Sequence, residues 1–139
     1  MIILLVALLS LTFPTFLPGA TFIVTKTTDD NGPCSVADCA LREAILAANA
    51  LPGADTVAIS PGTYALTLAG PGEDLGLSGD LDIRDDLEVS GDPLDPPTIV
   101  GDGLDRVLHI NSSAVGLSAL TLTGGGGNGP GGGIFAFAS

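Results

Sequence analysis

Basic residues are scarce in this chain. Four Lys and Arg stand against 16 Asp and Glu, a net charge of -12 over 139 residues. A surface so acidic repels phosphate backbones and anionic lipid, which excludes nucleic acid as a natural partner. Metal-ligating residue types are scarce as well: one histidine, His109, and two cysteines, Cys34 and Cys39. A metal site at the cysteines would need further ligands, and His109 lies far along the chain. Long uninterrupted stretches are also missing, because 20 Gly and 10 Pro cut most of the sequence into pieces too short for helices. The length suits one domain built of many short strands.

The first 20 residues contain no charged side chain. "IILLVALLSLTF" is a continuous apolar run, and "PTFLPGA" ends on small residues as a secretory cleavage site does. The segment reads as a signal peptide over residues 1–20, although it starts without Lys or Arg and places Pro18 three before a cut after Ala20. An uncleaved anchor is the alternative, but about 16 apolar residues interrupted by Pro14 fall short of the roughly 20 needed to span a bilayer. Secretion or surface display is therefore expected, with no membrane insertion of the mature domain over residues 21–139. In an exported chain, a local disulfide between Cys34 and Cys39 is the simplest use of two cysteines five apart.

One stretch reads clearly as a helix: "CALREAILAANA", residues 39 to 50. Leu41, Ala44, Ile45 and Ala48 recur at i, i+3, i+4 and i+7, and Ser35 with Asp38 has the form of a capping box. Asn49, Pro52 and Gly53 terminate the helix. At about three turns it is marginal alone in water, so its apolar stripe must be buried. Before it, "ATFIVTKTTDD" alternates Phe22, Val24 and Lys26 on one face against Ile23 and Thr25 on the other, as a strand does, until "DNGP" breaks it.

From Asp55 onward the pattern is of short β segments: "DTVAI", "GTYALTL", "GDLDI", "DLEVSG", "PTIVGDG", "DRVLHI", "VGLSALTLTGG" and "GGGIFAF". "LEVSGD", "TIVGDG" and "LTLTGG" share a form, and aligning Leu81 with Leu108 gives a repeat in the twenties of residues. Short strands with Gly or Asp turns at such a repeat suit a stacked β-solenoid, each coil burying its inward side chains against its neighbours. A β-sandwich of hairpins is the alternative, but few two-residue loops such as Asn-Gly join the runs. The helix then serves as a lid on the solenoid's open end, where the first coil would expose its interior and its unpaired strand edge.

"CSVADCALREAILAANALPGADTVAI" resembles the CSLREA (CSLREAI) domain found near the N-terminus of bacterial secreted and surface proteins. The downstream "GTYALTLAGPGEDLGLSGDLDI", "DRVLHI" and "LTLTGG…GGGI" are similar to the same family and to the polymorphic outer-membrane-protein repeats that accompany it. Cys39, Leu41, Arg42, Glu43, Ala44 and Ile45 carry the likeness, which spans most of residues 21 to 134. Ala40 departs from it, standing where the family name calls for Ser. The resemblance implies a mainly β fold, a right-handed parallel β-helix of the pectin-lyase kind with an N-terminal capping helix. Family members usually continue for many more coils, so the chain is expected to be a truncated piece whose open last coil invites self-association.

Arg42 and Glu43 invite a catalytic reading, but a guanidinium at the edge of a cap has a structural use. Paired with one of Glu73, Asp74, Asp80 or Asp82, it would fix the helix to the first coils. The cap set is accordingly Leu41, Arg42, Glu43 and Ile45 with Asp80 and Asp82. From Asp80 to Asp105 there are nine acids in 26 residues. Such carboxylates serve polysaccharide lyases and hydrolases on parallel β-helices, with Arg84 or Arg106 nearby, but here they fall mainly in "RDD", "SGD" and "GDGLD", where turns favour Asp and Gly. Three of Asp80, Asp82, Asp85, Asp86, Asp102 and Asp105 around one lateral cleft with an Arg would mark an enzyme. Ca²⁺ is the one ion the acidic stretch suggests, and no other cofactor is expected. Alternation sets His109 opposite Leu108 and Ile110, pointing to solvent. "GGGGNGPGGG" lacks the ending and context of a phosphate loop and reads as a wide turn. The expected function is non-enzymatic, structural or adhesive, with a surface protein or glycan as partner; a β-helical carbohydrate-active enzyme is the alternative.

Overall fold

A computed structural model describes residues 18–103, 105–111, 113–127 and 132–137. Most of the expected leader, residues 1–17, lies outside the described residues, as does the centre of the glycine-rich segment. Among the described residues no helix is long and apolar enough to cross a membrane.

The chain is mainly strands in parallel sheets, with one short helix. In order come β1 (Thr21–Val24), α1 (Leu41–Asn49), β2 (Asp55–Ile59), β3 (Thr63–Ala65), β4 (Leu81–Ile83), β5 (Leu87–Ser90), β6 (Thr98–Val100), β7 (Leu108–Asn111), β8 (Val115–Ser118), β9 (Thr121–Thr123) and β10 (Ile134–Phe137). One sheet has the order β1-β2-β5-β8, a second β3-β6-β9 and a third β4-β7-β10. From β2 onward the chain visits the three in strict rotation, and every pairing is parallel.

The register explains how such short strands build a common core. Phe22, Val57, Val89 and Leu117 form one ladder across the first sheet. Tyr64, Ile99 and Leu122 form another, and Leu81, Leu108 and Ile134 a third. Each side chain lies on its counterpart in the neighbouring strand, and Val57, Ile83, Ile99 and Leu81 are at most 1% exposed. The expected stacking of Leu81 on Leu108 is present. "TIVGDG" and "LTLTGG" also stack, Thr98 on Thr121, whereas "LEVSGD" belongs to a different sheet. The single run "VGLSALTLTGG" is two strands: Ala119 takes a φ of 52°, turning the chain from β8 into β9. That left-handed conformation is uncommon for a residue with a Cβ.

The helix is shorter than its motif. Its N-cap is Ala40, in extended backbone, and Glu43 accepts the Ala40 N–H at 2.7 Å. Ser35 and Asp38 do not cap it. They close a separate turn inside the Cys34–Cys39 disulfide, where Ser35 Oγ accepts the Asp38 N–H at 3.1 Å. Leu41, Ala44, Ile45 and Ala48 are all buried, packed over β1, β2 and β4.

Residues 66–80 depart from the rotation. They join β3 to β4 by a long excursion that folds back over the outer face of β4, so that Gly76 lies against Asp82. This excursion shapes the polar interior described next.

Candidate functional site

Two polar clusters adjoin the excursion. The first centres on Arg42, whose side chain is 1% exposed. Its Nε donates to Asp29 Oδ1 at 2.7 Å, and Nη2 donates to Asp29 Oδ2 at 3.2 Å. The remaining N–H groups reach backbone carbonyls: Nη1 to Gly76 at 3.0 Å and Asp80 at 2.9 Å, Nη2 to Gly79 at 2.8 Å. Asp29 is itself held, since Oδ2 also accepts the Thr67 and Leu68 N–H groups at 2.7 and 3.0 Å. The planar fork thus joins helix, preceding loop and excursion in one network.

This corrects the expected pairing. Arg42 finds its carboxylate in Asp29, and Asp80 contributes only its backbone carbonyl. Asp82 is engaged elsewhere, and Glu73 accepts the Leu75 and Ser78 N–H groups of its own turn. The reason is geometric. Arg42 approaches from the helix and meets main-chain carbonyls, whereas Asp82 projects from β4 into a separate cluster. Glu43, 4% exposed, holds the helix start and lies 3.4 Å from Lys26, which also pairs with Asp38 and Asp30 at 2.7 and 3.0 Å. Asn49, read from sequence as a helix stop, bridges to β4: its Nδ2 donates to the Asp82 carbonyl at 2.7 Å and its Oδ1 accepts the Arg84 N–H at 2.8 Å.

The second cluster lies under the excursion, on the third sheet. Asp82, His109 and Phe135 stand in one cross-strand row of β4, β7 and β10. His109 Nδ1 lies 2.8 Å from Asp82 Oδ1 and 3.6 Å from Asp74 Oδ1, the latter on the excursion. The expectation of a solvent-facing His109 fails. Its ring does face away from the Leu81–Leu108 ladder, but the excursion covers it and leaves it 8% exposed. Beside it, Arg106 Nε donates to Asp80 Oδ2 at 3.0 Å and lies 3.6 Å from Asp105 Oδ1, its guanidinium 5.0 Å from the Phe135 ring centroid.

Burial raises the carboxyl of Asp80 above its ordinary range, against the opposing pull of Arg106. Asp82 is pushed up to about 6, first by burial and then by the neighbouring Asp80 charge. One oxygen of each, Asp80 Oδ1 and Asp82 Oδ2, is buried without a hydrogen-bond partner.

Asp80, Asp82 and Asp105 therefore gather near Arg106 and His109, but inside the protein, at 0%, 1% and 8% exposure, rather than along a lateral cleft. Asp85 accepts the Asp86 N–H in the turn after β4, Asp86 accepts the Ala114 N–H just before β8, and Asp102 accepts the Asp105 N–H at 3.3 Å. Cys34 and Cys39 form the expected disulfide. Asp29, Asn49 and the burial of His109 were not foreseen: Asp29 stands in "TTDDNGP", which reads as a strand breaker, and no spacing links it to Arg42. The chain matches no family model, no curated protein and no solved structure.

Proposed function

We propose that this chain is the capped N-terminal part of a right-handed parallel β-helix of the CSLREA kind, exported from a bacterial cell and architectural or adhesive in role. The rotation of β2 to β10 through three parallel sheets, with apolar ladders in register, is the observation that carries the reading. A chain that returns to the same sheet after every third strand winds as a coil, and parallel crossovers are almost always right-handed. The helix covers what would otherwise be an open apolar end, consistent with the lid that the CSLREA resemblance implies. The disulfide supports an oxidising compartment.

The absence of catalysis is part of the proposal. A lyase or glycosidase needs its carboxylates where a sugar ring can reach them. Here the acids that meet an arginine, Asp29, Asp80 and Asp105, have covered side chains, and Asp29 and Asp105 also accept backbone N–H groups of the excursion. The lateral faces would meet a surface protein or a glycan, and the acidic surface disfavours nucleic acid. Exposed Ile134 and Phe137 on β10 offer a place for a second copy.

Two measurements test this together. A reporter fused after Ala20 is expected outside the cytoplasm with the leader removed; cytoplasmic retention of the intact fusion overturns the export reading. Incubation of the oxidised protein with uronate-containing and neutral polysaccharides is expected to yield no unsaturated ends and no new reducing ends. Release of either, abolished by Asp82→Asn, establishes the enzyme instead.

A further inference from the structure

We infer that Asp74, Asp82 and His109 form a binding site for a single divalent transition-metal ion, Zn²⁺ or its like, which clips the 66–80 excursion to the third sheet. Asp74 Oδ1, an Asp82 carboxylate oxygen and His109 Nδ1 lie within 4.8 Å of one another. They come from three separate pieces of chain: the excursion, β4 and β7. His109 Nδ1 is in hydrogen-bond contact with Asp82 Oδ1 at 2.8 Å and lies 3.6 Å from Asp74 Oδ1; an ion bound at roughly 2.0–2.2 Å from each donor takes the place of that hydrogen bond as the two donors spread to about 3.4 Å.

A second observation points the same way. Asp82 is 1% exposed, and its Oδ2 is buried with no hydrogen-bond partner. A buried carboxylate oxygen left without a donor costs free energy, and a cation at the Asp82 carboxylate offsets that cost.

The donor set selects the metal. Ca²⁺ and Mg²⁺ take six or more oxygen ligands and have little use for an imidazole. Two carboxylates and one imidazole suit Zn²⁺, with water in the remaining position. Asp74, with its side chain 65% exposed, stands at the mouth and leaves an entry path, while the His109 ring is braced by Phe135 at 5.5 Å. The acidic stretch that suggested Ca²⁺ thus contributes to a different chemistry, because the histidine lies among the acids.

The test uses the full oxidised chain, freed of metal by chelator and titrated calorimetrically with ZnCl₂ and separately with CaCl₂. One saturable equivalent of Zn²⁺ is expected, with a Tm rise of roughly 8–14 °C at a hundredfold excess over Kd, and no comparable response to Ca²⁺. Asp74→Asn is the decisive variant. Its side chain is exposed and its ion pair is with His109 alone, so the metal-free Tm should stay within about 2 °C of wild type while the zinc-induced rise is lost. His109→Gln should lose it too, and the exposed Asp95→Asn should bind as wild type. Co²⁺ in place of Zn²⁺ should give visible bands of a low-coordinate nitrogen and oxygen site that disappear in Asp74→Asn. Absence of saturable binding, an equal response to Ca²⁺, or undiminished zinc binding by either Asp74→Asn or His109→Gln overturns the inference.

Discussion

Replacing Arg42 with alanine removes five hydrogen bonds at once. Asp29 keeps its bonds from the Thr67 and Leu68 N–H groups, so its carboxylate is not wholly abandoned, but the side chain, 2% exposed, loses its countercharge. The carbonyls of Gly76, Gly79 and Asp80 lose the donors that held the excursion against the helix. Breaking a buried ion pair by removing one partner costs about 3–5 kcal/mol. For a chain of this size each kcal/mol lowers Tm by roughly 3–5 °C, so a fall of about 10–20 °C is expected. Thermal unfolding followed by circular dichroism measures it. Arg42→Lys should recover less than half, because one ammonium cannot span a carboxylate and three carbonyls together. In a double-mutant cycle with Asp29→Asn the two losses should overlap by about 1–3 kcal/mol. An Arg42→Ala protein melting within about 2 °C of wild type, or strictly additive losses, would refute the argument that this network holds the helix in place.

Three further outcomes are expected. Reducing the Cys34–Cys39 disulfide, which closes a short loop, should lower stability by about 2 kcal/mol, and a Cys34→Ser/Cys39→Ser protein should melt at the same temperature with and without reductant. Asn49→Ala leaves the Asp82 carbonyl and the Arg84 N–H without their partner and should cost about 1–3 kcal/mol in denaturant unfolding; Asn49→Asp, which can accept but not donate, should fall between. Burial pushes the Tyr64 hydroxyl above its ordinary value of 10.0. A raised folded pKa means stability that is complete below the unfolded value and lost as pH climbs through the folded one. Unfolding should therefore steepen above about pH 10 in wild type and not in Tyr64→Phe. Since this is the only tyrosine, phenolate absorbance follows its ionisation directly, and titration at the ordinary value would contradict the assignment.

The repetitive part of the fold was legible because parallel stacking imposes the same demand at every turn. Leu81 and Leu108 can be matched from the sequence, since an inward position needs an apolar residue in each stacked strand. The helix stripe was legible for a related reason, its period being fixed by 3.6 residues per turn. What escaped was everything the excursion does. Residues 66–80 interrupt the repeat, and nothing in "LTLAGPGEDLGLSGD" says which face it will cover. His109 was assigned the correct face and the wrong surroundings on that account. Asp29 escaped because a polar loop residue carries no periodicity, and its link to Arg42 exists only in three dimensions. Ala119 escaped because a non-glycine residue seldom marks a left-handed turn.

The bonds from Arg42 to the carbonyls of Gly76, Gly79 and Asp80 span 34 to 38 positions of sequence, and those from the Thr67 and Leu68 N–H groups to Asp29 span 38 and 39. A growing chain that has produced the helix therefore still lacks the groups that seat it. Local helix formation takes under a microsecond, yet synthesis adds only about 5–20 residues per second. For some seconds the N-terminal end exists without its latch, its apolar stripe waiting for residue 80. An earlier part of the sequence is in this sense completed by a later one, and that interval is when a chaperone would find it open.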